Sequence, residues 1–284
     1  MKIAVLIPSR NRPLMLSAAI TTLREMESGE NEVEYRIGYD IDDKVTESLM
    51  FLSLHNSSWS FNNVVWLPSQ ERTIGAIWNK LAFISGSQSA DIYSCMIDDA
   101  FTITPHWDKV MVEMAKRYDA FSWFEVSAPT NIGYPTCTKS WLDKVGYIVP
   151  EHFPFWFMDS WFGELVQFVT NNAIPMTQQL ALFSKQEATQ NLRDLNFWWA
   201  FFNKTRVIRI KEAHRISGSD MALEEFTASR AKWVLLAEQR DAQFIGQQRL
   251  LDIENAKAAT SEPSARYMAA KSAAEEYLKQ NGLS

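Results

Sequence analysis

Cysteine is scarce here. The chain has two in 284 residues, Cys95 in an apolar stretch and Cys137 in a Thr-rich one. Their spacing matches no metal-ligand pattern, so both read as buried free thiols in a reducing compartment. Long hydrophobic runs are also lacking. No segment reaches about 18 consecutive apolar residues, which excludes a membrane-spanning helix from the expectation. The amino terminus, MKIAVLIPSRNRP, enters a strand directly and has no small-residue cleavage site. No signal peptide is therefore read, and the expected location is cytoplasmic. Internal repeats and low-complexity tracts are missing too. Positive charge is in deficit, with 28 Lys and Arg against 34 Asp and Glu. That balance argues against a surface gripping nucleic acid over its whole extent, although it leaves room for a local basic patch.

Aromatic residues are abundant, with 11 Trp and 17 Phe. Leaving them in water is costly, so a thick core and an aromatic-lined cleft are expected. The length suits one large α/β domain, or one domain with an appendage. KIAVLIP is a compact apolar run ended by proline, as in a strand buried on both faces. RPLMLSAAITTLREM follows with helical spacing, and Pro13 fits its first turn. EVEYRIGYDIDD and NNVVWLPSQ read as the second and third strands, TIGAIWNKLAFISGS as a helix, and DIYSCMIDDAFTI as a fourth strand. Strands alternating with helices imply right-handed crossovers and a mostly parallel sheet, whose ligands gather at the carboxyl ends of the strands.

Further on, DAFSWFEVSAP is strand-like, KSWLDKVG is a short helix, and FPFWFMDSWFGELVQFV is an aromatic helix. KTRVIRIKEAH reads as a basic strand or strand–loop. Beyond Gly218 the chain is helical, first over EEFTASRAKWVLLAEQRDAQFIGQQRLLDIENA and then over RYMAAKSAAEEYLKQNG, which Gly282 stops. Trp233, Leu236, Phe244, Leu250, Leu251 and Ile253 recur there near helical spacing. Such a stripe cannot be buried alone, so it packs on the preceding domain or on a second copy of the chain.

Three polar clusters fall at strand ends. Asp98 and Asp99 interrupt an apolar run, and unpaired carboxylates are expensive to desolvate. An acid pair at a strand end suits a hard divalent cation or a ribose, with an ordinary acidic turn as the competing reading. In PSRNRP, Arg10 and Arg12 have the fork geometry for a diphosphate, or simply close a solvated loop. In YDIDD, Asp40, Asp42 and Asp43 offer acceptors to a base N–H or a ribose hydroxyl, and at least one of them is a helix N-cap.

Taken in order and spacing, IAVLIPSRNRP, YDIDD, ERTIGAIWNKL and IYSCMIDDAFTITPHW resemble the N-terminal half of a GT-A-fold glycosyltransferase of the family-2-like kind. The likeness covers about the first 110 residues well, and continues more weakly through PTCTKSW and FWFMDSWFGEL. It implies a nucleotide-sugar donor, a DxD-type motif with Mn²⁺ or Mg²⁺, and transfer to a hydroxyl of a glycan, a small molecule or a modified nucleic acid. By that resemblance Pro8, Ser9, Arg10 and Arg12 line the nucleotide and Asp40 meets the base, with Asp42 beside it. Arg72, Gly75 and Asn79 lie by the nucleotide or diphosphate, Asp98 approaches the ribose, and Asp99 holds the metal. Two positions depart from the pattern. Ala100 replaces the third acid, and Arg10 stands where an aromatic is common, so that base stacking would be cationic.

Asp159 is the expected general base of an inverting transfer, since aromatic surroundings push a carboxyl pKa up into a useful range; a hydrogen-bonded helix acid is the alternative. Of Trp156, Trp161, Trp198 and Trp199, one or two would stack on sugars and the rest are core. Late histidines serve as metal ligands in several GT-A enzymes, which implies that role for His214. Lys204, Arg206, Arg209, Lys211 and Arg215 would hold the diphosphate or an anionic acceptor.

The expected architecture is thus a GT-A domain over residues 1–218, with a nucleotide-sugar half over 1–110, an acceptor half over 111–218 and a helical extension over 219–284. Oligomerisation would run through that extension. A nucleotidyltransferase shares the acids and such a sheet, but no glycine-rich loop with a following lysine stands near the first strand. A non-catalytic binding protein that kept the fold draws its support from Ala100.

Overall fold

A computed structural model describes residues 1–55, 63–71, 73–84, 89–126, 133–154, 157–184, 195–239, 242 and 265–283. The first strand, β1 (Lys2–Ser9), is buried at every position after Lys2, as its unbroken apolar run requires. Helix α1 (Pro13–Glu25) opens on proline and turns Leu16, Ala19, Ile20 and Leu23 inward at helical spacing. Strand β2 (Glu32–Asp40), helix α2 (Lys44–His55), strand β3 (Val64–Ser69) and helix α3 (Ile74–Ala82) complete the alternation. Then come β4 (Ile92–Cys95), β5 (Ala100–Thr102), α4 (Trp107–Ala115), β6 (Ala120–Glu125), β7 (Pro135–Thr138), α5 (Lys139–Val145), α6 (Met158–Thr170) and β8 (Met176–Ser184).

The strands form one sheet in the order β3-β2-β1-β4-β7-β6-β8-β5. The pairs β1–β2, β1–β4, β2–β3 and β6–β8 are parallel, whereas β7 and β5 run against their neighbours. Six of the eight strands therefore share one direction, and the carboxyl ends of β1, β2 and β4 lie side by side. Trp78 on α3 fixes two of those ends, because its indole N–H donates to the carbonyls of Leu6 and Met96. Cys95 and Cys137 are buried free thiols, as expected.

The fourth strand is shorter than its apolar run. It stops at Cys95, and Asp98 and Asp99 form a turn before β5. Successive strand residues point to opposite faces, so a continuous strand would drive one of the two acids into the core. The turn avoids that.

The chain divides into two compact units, Met1–Glu151 with Pro175–Gln186, and His152–Ile174 with Glu187–Ser284. The borders fall after residues 151, 174 and 186. The first unit holds the sheet. The second contains α6, α7 (Leu195–Lys204), α8 (Arg206–Ser217), α9 (Leu223–Ser229), a helical stretch α10 over 231–239, and α11 (Ala265–Gln280). Its centre is aromatic: Phe153 packs within about one ring width of Phe157, Trp161, Trp198 and Phe201, with centroids 5.2–6.2 Å away.

The stretch KTRVIRIKEAH is helical and not a strand, which corrects the reading of its alternation. Arg206, Arg209, Ile210 and Ala213 form its buried face at spacings of three and four. Two members of that face are charged, so an apolar count overlooks its helical period. Both arginines converge on Glu164 of α6, Arg206 Nη2 at 2.9 Å and Arg209 Nε at 2.7 Å. The Arg209 guanidinium also lies 3.9 Å from the Phe202 ring centre and 4.5 Å from that of Trp161. Neither cation is therefore available to an anionic ligand, while Lys204, Lys211 and Arg215 are exposed.

In the carboxyl-terminal helices Trp233 donates to Asn171 Oδ1 at 2.9 Å, but Leu235 and Leu236 are exposed, so Leu236 does not continue a buried stripe within the chain. Phe244, Leu250, Leu251 and Ile253 lie outside the described residues. Gly282, at φ +67°, ends α11 in the left-handed conformation that glycine adopts without strain.

Burial pushes the Glu164 carboxyl up, but the fields of Arg209 and Arg206 win, and its pKa falls below the usual carboxylate range. A depressed carboxylate contributes stability above its unfolded pKa of about 4.3 and loses it as pH falls. Glu164→Gln removes the buried counter-ion shared by Arg209 and Arg206 and leaves Arg206 only its 3.3 Å contact with the exposed Glu238, a loss of about 3–5 kcal/mol by analogy with broken buried pairs. Urea unfolding at pH 7 measures that loss. The gap between wild type and variant is expected to narrow at pH 4, and a gap under 1 kcal/mol at pH 7, well below the range for a broken buried pair, contradicts a paired core triad.

Candidate functional site

The carboxyl ends of β1, β2 and β4 bring together five carboxylates, and one loop ties them to each other. Every residue from Ser9 to Arg12 bonds an aspartate. Ser9 Oγ donates to Asp98 Oδ2 at 2.8 Å. Arg10 places Nη1 and Nη2 at 2.9 and 3.1 Å from the two oxygens of Asp42, and Nη1 also donates to Asp40. The backbone N–H of Asn11 donates to Asp43 Oδ2 at 2.7 Å. Arg12 Nη1 stands 3.3 Å from Asp98 Oδ1 and 3.1 Å from Asp99 Oδ2.

Local physics explains why the loop takes this path. Pro13 commits the chain to helix one residue after Arg12, so the turn from β1 has three residues in which to reverse. Asn11 takes φ +56°, in the left-handed region that asparagine tolerates better than most side chains. Asp43 supports it from below: its Oδ1 accepts from Thr46 N at 3.0 Å and so caps α2. The helix-cap reading within YDIDD thus belongs to Asp43. Pro8, the residue that leads into the turn, is buried in β1.

Electrostatics divide the cluster. Asp42 is 63% exposed, and its fork with Arg10 is a surface contact of small worth. Asp98 and Asp99 are buried, each 7% exposed at the side chain, and Arg12 pairs with both. Burial pushes the Asp98 carboxyl up to about 6; Ser9 and Arg12 oppose the rise, and the nearby charge of Asp99 adds to it. Asp98 and Asp99 are the oxygen donors here that a hard cation would take. Among the described residues, no group of three or more His, Cys, Asp or Glu is placed to hold a metal ion.

Other residues expected at the nucleotide are spent elsewhere. The Asn79 carboxamide donates to Val149 O at 2.8 Å and accepts from Ile148 N at 2.9 Å, which pins the segment before Glu151 onto α3. A Cβ on Gly75 would stand 2.7 Å from Pro150 O, so its lack of a side chain lets that same segment approach. Both are thereby scaffold residues of the α3 packing. Arg72 and Trp156 lie outside the described residues.

Asp159 belongs to the second unit, on the first turn of α6, where its Oδ1 accepts from Ser160 N at 2.8 Å. His214 is on α8, not beside a strand; its ring Nε2 pairs with the Met221 carbonyl at 2.8 Å, and the ring lies edge-on to Phe226 with centroids 5.0 Å apart. Trp161 and Trp198 are buried in the aromatic core, and Trp199 is half-buried. Sequence reasoning missed the part of Asn11; its signal was an asparagine between two arginines directly after a proline-ended strand. It also missed Glu164, the second acid of an aromatic helix.

The raised Asp98 pKa has a signed consequence. A carboxyl raised in the folded state contributes fully below its unfolded value of about 3.9 and loses that contribution as pH climbs through 6. Asp98→Asn removes the titration. Between pH 4 and pH 7.5 the stability of the variant relative to wild type is expected to rise by about 2 kcal/mol, somewhat under two pK units' worth because the unfolded carboxyl is already half ionised at pH 4. Urea melts at both pH values check it, and a difference independent of pH refutes the burial of an ionised Asp98.

No family model matches the sequence, and no curated protein matches it either. Solved structures do match in fold. TarS 1–349 from S. aureus, in complex with UDP-GlcNAc, superposes with a TM-score of 0.58 at 11% identity, over 82% of this chain and 72% of that one. The mannosyltransferase PcManGT from Pyrobaculum calidifontis, in complex with GDP-Man and Mn²⁺, gives 0.52 at 11% identity, over 98% of this chain and 87% of that one. Among the described residues, no helix is long and apolar enough to cross a membrane. These structural neighbours are glycosyltransferases, and the fold that carries the aspartate cluster is GT-A.

Proposed function

We propose that this protein transfers a sugar from a nucleoside-diphosphate sugar to a hydroxyl acceptor, with inversion at the anomeric carbon. One observation carries the reading: in a GT-A sheet, the buried pair Asp98 and Asp99 stands at the carboxyl end of the central parallel strand, beside a loop bearing two arginines. Donors in the neighbouring structures, UDP-GlcNAc and GDP-Man, belong to the same chemical class.

The roles follow from the chemistry of each group. Asp40 accepts from a base N–H, with Asp42 next to it at the rim. Asp98 accepts from a ribose hydroxyl. Arg10 and Arg12 carry the fork geometry that a diphosphate takes. Asp99, with Asp98, is the donor set for Mn²⁺ or Mg²⁺. Two buried carboxylates fit a cation that completes its shell with phosphate oxygens, which is how magnesium-type ions are commonly held. When bound, such a cation supplies charge that neutralises a departing nucleoside diphosphate. The protein's own share is to bury and orient the two carboxylates before the donor arrives. Asp159 is the base that takes the acceptor's proton as the hydroxyl attacks. His214, given its bond to the Met221 carbonyl, is left out of the metal shell.

A thermal-shift panel of UDP and GDP, each with and without Mn²⁺, tests the donor site. Nucleotide and metal together are expected to raise Tm more than the sum of their separate effects. In Asp99→Asn the metal-dependent part should vanish while the fold persists. A metal-linked shift equal to wild type in that variant removes Asp99 from the metal site.

Asp159→Asn tests the base. Release of nucleoside diphosphate from UDP-GlcNAc or GDP-mannose, with water as the acceptor, is expected to slow by about 10²-fold or more at nearly unchanged donor affinity. Loss of donor affinity instead would assign Asp159 a structural part.

A further inference from the structure

We infer that Arg12 is the internal counter-ion of Asp98 and Asp99, and that a divalent cation and this guanidinium occupy the acid pair alternately, so that metal and nucleoside diphosphate bind cooperatively. The inference deepens the proposed donor site and rests on that reading.

Geometry carries it. A single nitrogen, Arg12 Nη1, spans one oxygen of each carboxylate, at 3.3 Å and 3.1 Å. A cation bridging two carboxylates from between them stands where a metal drawing on both would stand. Two positive charges cannot share that gap without strong repulsion in a buried setting. Alternative anchors near Arg12 are already used. Asp40 and Asp42 hold Arg10, and Asp43 accepts from Asn11 N and Thr46 N. A displaced Arg12 therefore finds no spare carboxylate within the cluster and turns outward. It is free to do so, being 31% exposed while both acids are 7% exposed. A diphosphate offers the guanidinium a new anionic partner and the metal its remaining oxygens. Each ligand then removes the penalty that opposes the other. By linkage the coupling is reciprocal: nucleoside diphosphate tightens metal binding by the factor by which metal tightens nucleoside diphosphate.

This assigns Arg12 an additional effect, suppression of metal binding in the absence of donor. An acid pair without its own cation would hold Mn²⁺ on its own account. Here the site accepts metal chiefly together with the ligand that requires it.

The test measures Mn²⁺ binding directly, from the loss of the free-ion electron paramagnetic resonance signal, for wild type, Arg12→Gln and Arg12→Lys, each with and without UDP or GDP. Circular dichroism and Tm confirm that each variant is folded. For wild type, UDP or GDP is expected to tighten Mn²⁺ binding about tenfold or more, within the usual range of coupling factors. Arg12→Gln should bind Mn²⁺ alone about tenfold more tightly than wild type, and the gain on adding nucleotide should collapse. Arg12→Lys keeps the charge on a shorter reach, so its affinity for Mn²⁺ alone should lie between the other two. It also serves as the deciding variant if the glutamine form does not fold. Mn²⁺ affinity of Arg12→Gln equal to or weaker than that of wild type, with wild type still binding metal in the presence of nucleotide, overturns this inference and spares the donor site. Absence of Mn²⁺ binding to wild type with either nucleotide overturns both.

Discussion

The arrangement on which the rest of the site depends is the bonding of Ser9, Arg10, Asn11 and Arg12 to the aspartates at two strand ends, those of β2 and β4. Five carboxylates cannot gather at one edge of a sheet without opposing charge and directed N–H and O–H groups. The loop supplies both within four residues. It can do so because β1 is the strand between β2 and β4, so a turn leaving its carboxyl end reaches the acids on either side. Arg10 and Asn11 serve the β2 side, while Ser9 and Arg12 serve the β4 side. The sheet order is thus what makes a four-residue loop sufficient.

Much of this frame was legible in the sequence, for a physical reason. Strands buried on both faces leave a continuous apolar signature, and β1 shows it. Proline at the first turn of α1 and glycine at the end of α11 mark boundaries by sterics alone. The acid and arginine clusters stand out because each interrupts an apolar run. The pairing between them was hidden. Arg10 and Arg12 looked like two cations awaiting an anion, and the aspartates like acids awaiting a cation. Nothing in one dimension says that they satisfy each other, because 86 residues separate Arg12 from Asp98.

Helix α8 shows a different kind of opacity. Periodicity arguments assume that a buried face is apolar, and this one buries two arginines around Glu164. Alternation of Arg, Val and Ile then mimics a strand. Only the position of Glu164 on α6, three residues beyond Trp161, explains why charge goes inward there. The same misreading promoted Arg206 and Arg209 to ligand contacts. The contacts of Asn79 were hidden for a related reason. A buried carboxamide between helical positions serves a backbone segment or a ligand equally well, and the contact with residues 148–151 lies about 70 residues away in the chain.

Ala100 brings these points together. In the motif that the sequence resembles, a third acid would stand at this position. Here residue 100 opens β5, is fully buried, and belongs to the core cluster that includes Met96, Trp107 and Trp123. A carboxylate there would be buried in that apolar cluster, at a desolvation cost of several kcal/mol without a partner. The fold itself therefore holds the number of acids in the turn at two. A two-carboxylate site has a small excess of negative charge, which a single guanidinium can balance, and it needs oxygens from outside the protein to complete a hard cation's shell. The alanine follows from the way β5 re-enters the sheet, and it leaves Asp98 and Asp99 as the two acids of the turn.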